Sequence, residues 1–171
     1  INATNNGATT DGAALTFDGV VSDAANSFTL TINAGDGSAT FSNNVTIDDL
    51  ITVDDSYSLS LTGSSNTFTN NIDFLNTGTV TLGNAATDVF TFNGGLAFTG
   101  DAAVDLGAEI RSSADSIDFG DGAVNLVANT IVDATNNAEV ASDAGNNISF
   151  GGAVADGANA FDLTLDTGTA G

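Results

Sequence analysis

The sequence predicts an all-β fold: a right-handed, three-sided parallel β-helix (β-solenoid) with coils of about 24–31 residues each and little or no helix, continuous over positions 1–171. Three observations predict it. A short repeat carries a Phe at every recurrence, each recurrence contains three apolar strands of period two, and the chain has no Pro.

The repeats exist at two scales. Ile1–Asn6 matches Val132–Asn137, and Phe17–Gly35 matches Phe150–Gly168 with ten of nineteen positions identical. The offset is 131 from Ile1 to Val132 and 133 from Phe17 to Phe150, so the chain reads as one long repeat plus the start of the next. Inside it, an alternating pair ending in Phe leads into a small polar turn and another alternating strand. This signature recurs at Phe17, Phe41, Phe68, Phe92, Phe119 and Phe150, at spacings of 24, 27, 24, 27 and 31. A third strand-like piece lies between signatures, as in Phe28–Ile32, Tyr57–Leu61, Val80–Leu82, Val104–Leu106 and Phe161–Leu165.

Alternation places every second side chain on one face of a strand. Leu15 and Phe17, or Val45 and Ile47, are expected inside, with Thr16 and Thr46 outside. Three strands per signature leave roughly eight positions per side, the perimeter of one coil. Stacked at about 4.8 Å, five coils make the long repeat about 24 Å tall. The six Phe residues are then expected to stack in one interior ladder. The turns after them are rich in Gly and Asn, which tolerate the left-handed backbone expected at a sharp corner. Missing Pro fits strands that each donate N–H groups to the next coil. An antiparallel sandwich of immunoglobulin-like modules is the alternative architecture, but those modules need about 80–100 residues each. Apolar content of 42% argues against a disordered chain.

Composition narrows the function. Lys and Arg total one against 22 acidic residues, a formal charge of −21. Nucleic-acid binding needs several basic side chains to neutralise phosphates, and anionic membranes need the same. No apolar run approaches the length of a membrane span. With no His, Cys or Lys, the usual general bases and nucleophile partners are missing, so no enzymatic activity is expected. Two carboxylates can in principle cleave a glycosidic bond, but Arg111 alone would have to grip an acidic sugar chain. Arg111 is expected to pair with Glu109 or with an Asp of a neighbouring coil. Without Cys there is no disulfide. No signal peptide or initiator Met is visible, so the chain reads as a mature product or a piece of something longer.

The style of Ile148–Gly171, ISFGGAVADGANAFDLTLDTGTAG, resembles the repeat regions of giant bacterial surface proteins: filamentous-haemagglutinin-like adhesins, autotransporter passengers and related β-strand repeat proteins. The resemblance rests on period and style across the whole chain. It implies secretion from a bacterial or archaeal cell, a right-handed β-helix, and roles in adhesion, sheath, biofilm matrix or filament formation.

Candidate sites are few. Asp48, Asp49, Asp54 and Asp55 flank the strand Leu50–Val53 and are the candidate Ca²⁺ ligands, since Ca²⁺ takes six to eight oxygens, several from carboxylates. No cofactor is required. Asp101, Asp105 and Glu109 form a second acidic neighbourhood. Thr29-Leu30-Thr31, Thr67-Phe68-Thr69 and Thr79-Val80-Thr81 offer a hydroxyl surface for ice binding, although Thr is also simply a good outward strand residue. The longest coil places Asp133–Asn147 as the expected protruding loop. The expected function is a structural component of an extracellular filament, sheath or cell-surface layer, extended by head-to-tail association or by further repeats. The alternatives are an adhesin stalk that binds a surface glycan or protein, and an ice-binding or Ca²⁺-dependent surface protein.

Overall fold

Alternating apolar residues broken by Gly, Asn and Asp form short strands that bury one face each, and here they wind into a rod. A computed structural model describes residues 1–4, 11–24, 26–135 and 145–169. The chain passes through β1 (Leu15–Phe17), β2 (Val21–Ser22) and β3 (Thr29–Ile32), then β4 (Ser38–Phe41), β5 (Val45–Ile47) and β6 (Asp49–Thr52). It continues through β7 (Ser58–Leu61), β8 (Ser65–Phe68), β9 (Ile72–Phe74), β10 (Val80–Leu82), β11 (Val89–Phe92) and β12 (Leu96–Phe98). The remaining strands are β13 (Val104–Leu106), β14 (Glu109–Ser112), β15 (Ile117–Asp118), β16 (Val124–Leu126), β17 (Thr130–Asp133), β18 (Ile148–Ser149), β19 (Val154–Ala155) and β20 (Leu163–Asp166). Among the described residues there is no helix.

Every third strand lands on the same side. The first face is the seven-stranded sheet β1-β4-β7-β10-β13-β16-β19, and the second is the seven-stranded sheet β2-β5-β8-β11-β14-β17-β20. The third face holds β3-β6 and the sheet β9-β12-β15-β18, with β6 lying beside β9. Between β6 and β9 the Thr52 hydroxyl accepts from the Leu75 N–H at 2.7 Å, in place of a backbone carbonyl. All pairings are parallel and in register, for example Val80↔Val104 and Phe68↔Phe92. The fold is thus the three-sided parallel β-solenoid the sequence predicts.

Two expectations about its periodicity are corrected. The regular laps are shorter than the Phe spacings suggest. Leu15, Ala39, Leu59, Val80, Val104 and Val124 follow one another in register on the first face, at steps of 24, 20, 21, 24 and 20. Only the last lap is long, the step of 30 from Val124 to Val154. The six Phe residues also do not form one ladder. Phe41 sits over Leu61, and Phe68 over Ile47. A Phe spacing of 24 is a full lap, whereas a spacing of 27 is a lap of 20 plus seven more positions to the next side. Three aromatic columns result. Phe17 stacks on Phe41 (centroids 4.4 Å apart), and Phe68 on Phe92 (5.0 Å). The third column runs over four rungs, Phe74–Phe98–Phe119–Phe150, at 4.7, 5.9 and 4.7 Å.

The true sequence unit therefore has a period of 51, the spacing of Phe17, Phe68 and Phe119. It spans seven strands: β4, β5 and β7 become β11, β12 and β14 after a shift of 51. Seven strands are two laps and one side, so each module is turned by a third of a revolution relative to the one before. The long repeat likewise carries β1 to β18, from the first face to the third, and is not a whole number of laps.

The core is a single column of buried Ile, Leu, Val, Phe and Ala side chains along the axis. The turns are only partly as expected. Of those after the six Phe residues, Gly95 (φ +94°) and Gly120 (φ +62°) are left-handed, but the corners Ser42-Asn43-Asn44 and Thr69-Asn70-Asn71 are not. In the same corner as Gly120, glycine also serves close approach between laps: a Cβ on Gly122 would run into the Ala102 carbonyl oxygen.

Candidate functional site

A flat-sided rod presents ladders before it presents pockets, because each outward position repeats on every rung. On the first face Thr16, Thr40, Ser60 and Thr81 stand in register on four consecutive rungs. Beside them Ser38 and Ser58 form a second column. On the second face Ser22, Thr46, Thr67 and Thr91 do the same. Both rows then give way to charge or amide: Thr81 to Asp105 and Asn125, and Thr91 to Arg111. The three Thr-x-Thr pieces picked out by sequence do not share a surface. Thr29 and Thr31 lie on the third face, Thr67 on the second, and Thr81 on the first. The hydroxyl ladders cross from Thr to Ser and between unlike motifs, so only the register reveals them.

The four candidate Ca²⁺ ligands do not converge. Asp48 and Asp49 lie at the start of β6, whereas Asp54 and Asp55 follow its end at the next corner. Three of them have local work. Asp49 accepts from Thr29 Oγ1 at 3.3 Å and Asn70 Nδ2 at 2.9 Å, and Asp55 Oδ1 caps the Ser56 N–H at 3.0 Å. Hydrogen bonds from the Ser27 and Thr69 hydroxyls hold the Asp48 carboxyl below the usual carboxylate range. Among the described residues no group of three or more acidic or other ligating side chains is placed to hold a metal ion.

A shallow groove of about 440 Å³ runs along the corner that follows the third face. Thr99, Asp101, Asp118, Asp121 and Ser149 border it, over buried Phe98 and half-buried Phe150. One of its carboxylates serves the fold: Asp118 Oδ1 accepts from the Gly120 N–H at 3.0 Å and from Ser149 Oγ at 2.8 Å. Of the acidic neighbourhood Asp101, Asp105 and Glu109, Asp105 faces outward and accepts from Asn125 on the next rung at 3.1 Å. Glu109 pairs with Arg111 at 2.9 Å, as expected. The protruding-loop expectation over Asp133–Asn147 falls mostly on 136–144, outside the described residues. Its first residues, Asp133, Ala134 and Thr135, are buried.

Sequence reasoning missed the buried polar set, which carries the corners. Tyr57 donates to the Ile32 carbonyl at 3.1 Å and accepts from the Val53 N–H at 3.3 Å. Burial pushes its phenol up to about 12. Asn66 accepts from the Val45 N–H at 3.0 Å and donates to the Gly63 carbonyl at 2.7 Å. Asp88 Oδ2 accepts from the Asn84 and Ala85 N–H groups. The buried Thr4 and Thr135, matched by the long repeat, each donate their backbone N–H and hydroxyl to the side-chain oxygen two positions back, on exposed Asn2 and buried Asp133. Asn66 takes an inward strand position in register with Phe90, the others lie at or beside corners, and in sequence they all look like ordinary turn residues.

Compared with family models, curated proteins and solved structures, the chain has no match.

Proposed function

We propose that this protein is a structural component of an extracellular filament, sheath or cell-surface layer, built by axial stacking of solenoid laps and without catalysis. One observation carries the reading. The chain's chemistry is spent on stacking: aromatic columns, in-register hydroxyl and Asp–Asn ladders, and corner side chains that bond to the lap below. The −21 charge favours a soluble surface and cationic surroundings. Parallel laps add further strands along the axis readily, so head-to-tail self-association or continuation into further repeats is the partner this reading expects. Electron microscopy of the purified chain at increasing concentration tests it. Fibres of uniform width, growing end to end, support the scaffold. A monodisperse short rod that binds a defined glycan or protein surface would favour the adhesin reading instead.

The hydroxyl rows favour one second reading, ice binding. The columns through Ser38 and Thr40 repeat at the strand spacing of about 4.8 Å, with about 7 Å between columns. Thermal hysteresis measured on the purified chain decides it: a freezing point equal to the melting point removes this reading.

A further inference from the structure

The laps are not joined equally on all three sides. The first and second faces are each one unbroken seven-stranded sheet, but the third divides between β6 and β9 into a two-stranded and a four-stranded sheet. The division lies inside the rod, between the lap β4-β5-β6 and the lap β7-β8-β9.

Its cause is a single residue. On the flanking faces these two laps pair at an offset of 21, as in Ile47↔Phe68 and Leu59↔Val80. Between those faces, two residues (Asp48 and Asp49) lead from Ile47 to buried Leu50, whereas three (Thr69, Asn70 and Asn71) lead from Phe68 to buried Ile72. The next corner restores the balance, with six residues between Thr52 and Leu59 against five between Phe74 and Val80. Strand β9 is therefore shifted by one position against β6. In a regular parallel ladder the Leu75 N–H would donate to a backbone carbonyl. Here it donates to the hydroxyl of Thr52, which is fully buried and paired on its other side with Ile32.

The opposite edge of the same two laps is closed. At the corner between the first and second faces, a Cβ on Gly63 would lie 2.6 Å from the Asn43 carbonyl, so the two backbones are in contact. The Thr62 N–H donates to the Phe41 carbonyl at 3.0 Å, the Ser65 N–H to Asn44 Oδ1 at 3.1 Å, and the Val45 N–H to Asn66 Oδ1 at 3.0 Å.

We propose that this junction is a hinge. The third face parts between β6 and β9 while the first and second faces stay joined, and the rod bends towards a pivot at Asn43 and Gly63. Opening breaks the Thr52–Leu75 bond and two corner bonds that border it, from the Asn70 N–H to the Asp48 carbonyl at 3.1 Å and from the Thr77 N–H to the Asp55 carbonyl at 2.9 Å. The same motion one junction further on would break the full β9–β12 ladder and part the Phe74–Phe98 stack at 4.7 Å. Among the described residues no ring stack crosses between β6 and β9, because β6 presents Thr52 there in place of an aromatic ring. The hinge belongs to the rod itself, so it stands apart from whatever the rod builds.

Hydrogen exchange of the purified chain, read by mass spectrometry on peptic peptides, tests it. Peptides over 49–53 and 72–76 should exchange faster than the β12 peptide on the same face, while those over β7 and β8 stay protected. Thr52→Val removes the hydroxyl acceptor at nearly constant volume and should speed exchange over 72–76 roughly tenfold. Thr52→Ser keeps the hydroxyl and should remain close to the parent. The chain has no Cys, so a disulfide can lock the junction. Ile51 and Asp73 are outward neighbours across it at about the 4.8 Å strand spacing, within reach of a disulfide. In Ile51→Cys with Asp73→Cys, oxidation should slow 49–53 and 72–76 to the rate of β12, and reduction should restore the faster exchange. Parent peptides over 49–53 and 72–76 that exchange as slowly as β12, or an oxidised lock that changes nothing, overturn the hinge. Exchange of β7 and β8 together with them also overturns it, since the laps would then be unfolding as one.

Discussion

Replacing Phe68 and Phe92 by Leu, singly and together, tests the three-column core against the single ladder that sequence spacing suggests. Both rings are fully buried and stacked at 5.0 Å with planes 9° apart. Phe→Leu keeps the site apolar, so each single change should cost on the order of 1–2 kcal/mol and leave the chain folded. Stacked aromatic pairs contribute about 0.5–1.5 kcal/mol beyond burial, and a double-mutant cycle isolates that coupling. For Phe41 and Phe68, on different faces, the cycle should close within about 0.5 kcal/mol, the error of additivity for independent sites. Stacked arrays need not unfold in one step, so the assay should be local. Arg111 is the one Lys or Arg in the sequence, so trypsin has one bond to cut. That bond lies in β14, paired with β11 through Thr91↔Arg111 and Phe92↔Ser112. When opening is fast relative to cleavage, the cleavage rate follows the open population, and about 1.4 kcal/mol is a tenfold change. Phe92→Leu should raise that rate roughly tenfold. Equal coupling in the Phe68–Phe92 and Phe41–Phe68 cycles would refute the column assignment.

Five further outcomes follow from the corners and the charge. Tyr57 is the only Tyr, so an ultraviolet titration reads it alone, and ionisation should centre near 12. Because its folded value is raised, its stabilisation is complete below the ordinary value of 10 and is lost as pH rises towards 12. The loss is about 1.4 kcal/mol per pH unit between the two, and urea unfolding of Tyr57→Phe should lack that alkaline loss. Gly122→Ala should destabilise sharply in thermal unfolding, because its Cβ meets the Ala102 carbonyl. Gly19→Ala, with nothing within 4 Å, should be neutral or stabilising by up to about 1 kcal/mol. Asp88→Ala removes the buried carboxylate that accepts two N–H groups at a partly exposed corner and should cost about 1–3 kcal/mol by urea unfolding. Adding salt should raise the melting temperature by screening the −21 charge, and a flat or falling response would contradict that.

The solenoid was legible because alternation and the absence of Pro act strand by strand. Leu15, Phe17, Val45 and Ile47 point inward as the pattern of two requires. The stacking of laps was not legible from the Phe spacings alone. A step of 24 and a step of 27 look like one variable coil, yet the first returns to the same side and the second passes it. The missing signal lay in the longer period of 51, on which Phe17, Phe68 and Phe119 coincide. The spread of the four Asp candidates along the chain has a related reason. Asp49 and Asp54 are close in sequence, but an extended strand between them carries them to different corners. The buried polar residues gave no signal, since Tyr57 and Asn66 look unremarkable until a neighbouring lap covers them.

The module of seven strands makes the molecule a screw. Each unit advances about 11 Å along the axis and turns by a third of a revolution, so three units restore the starting orientation after about 34 Å. Such a rod has no front and no back. Whatever chemistry a unit displays is offered in turn to three directions, at evenly staggered heights. Neighbours arriving from those directions meet equivalent terrain, which suits trigonal bundles or sheets more than isolated pairs. Fibre diffraction of aligned material should show a strong meridional spacing of about 4.8 Å with a weaker layer line near about 11 Å. A pattern whose only order is the strand spacing would mean that the screw is lost in the assembled state.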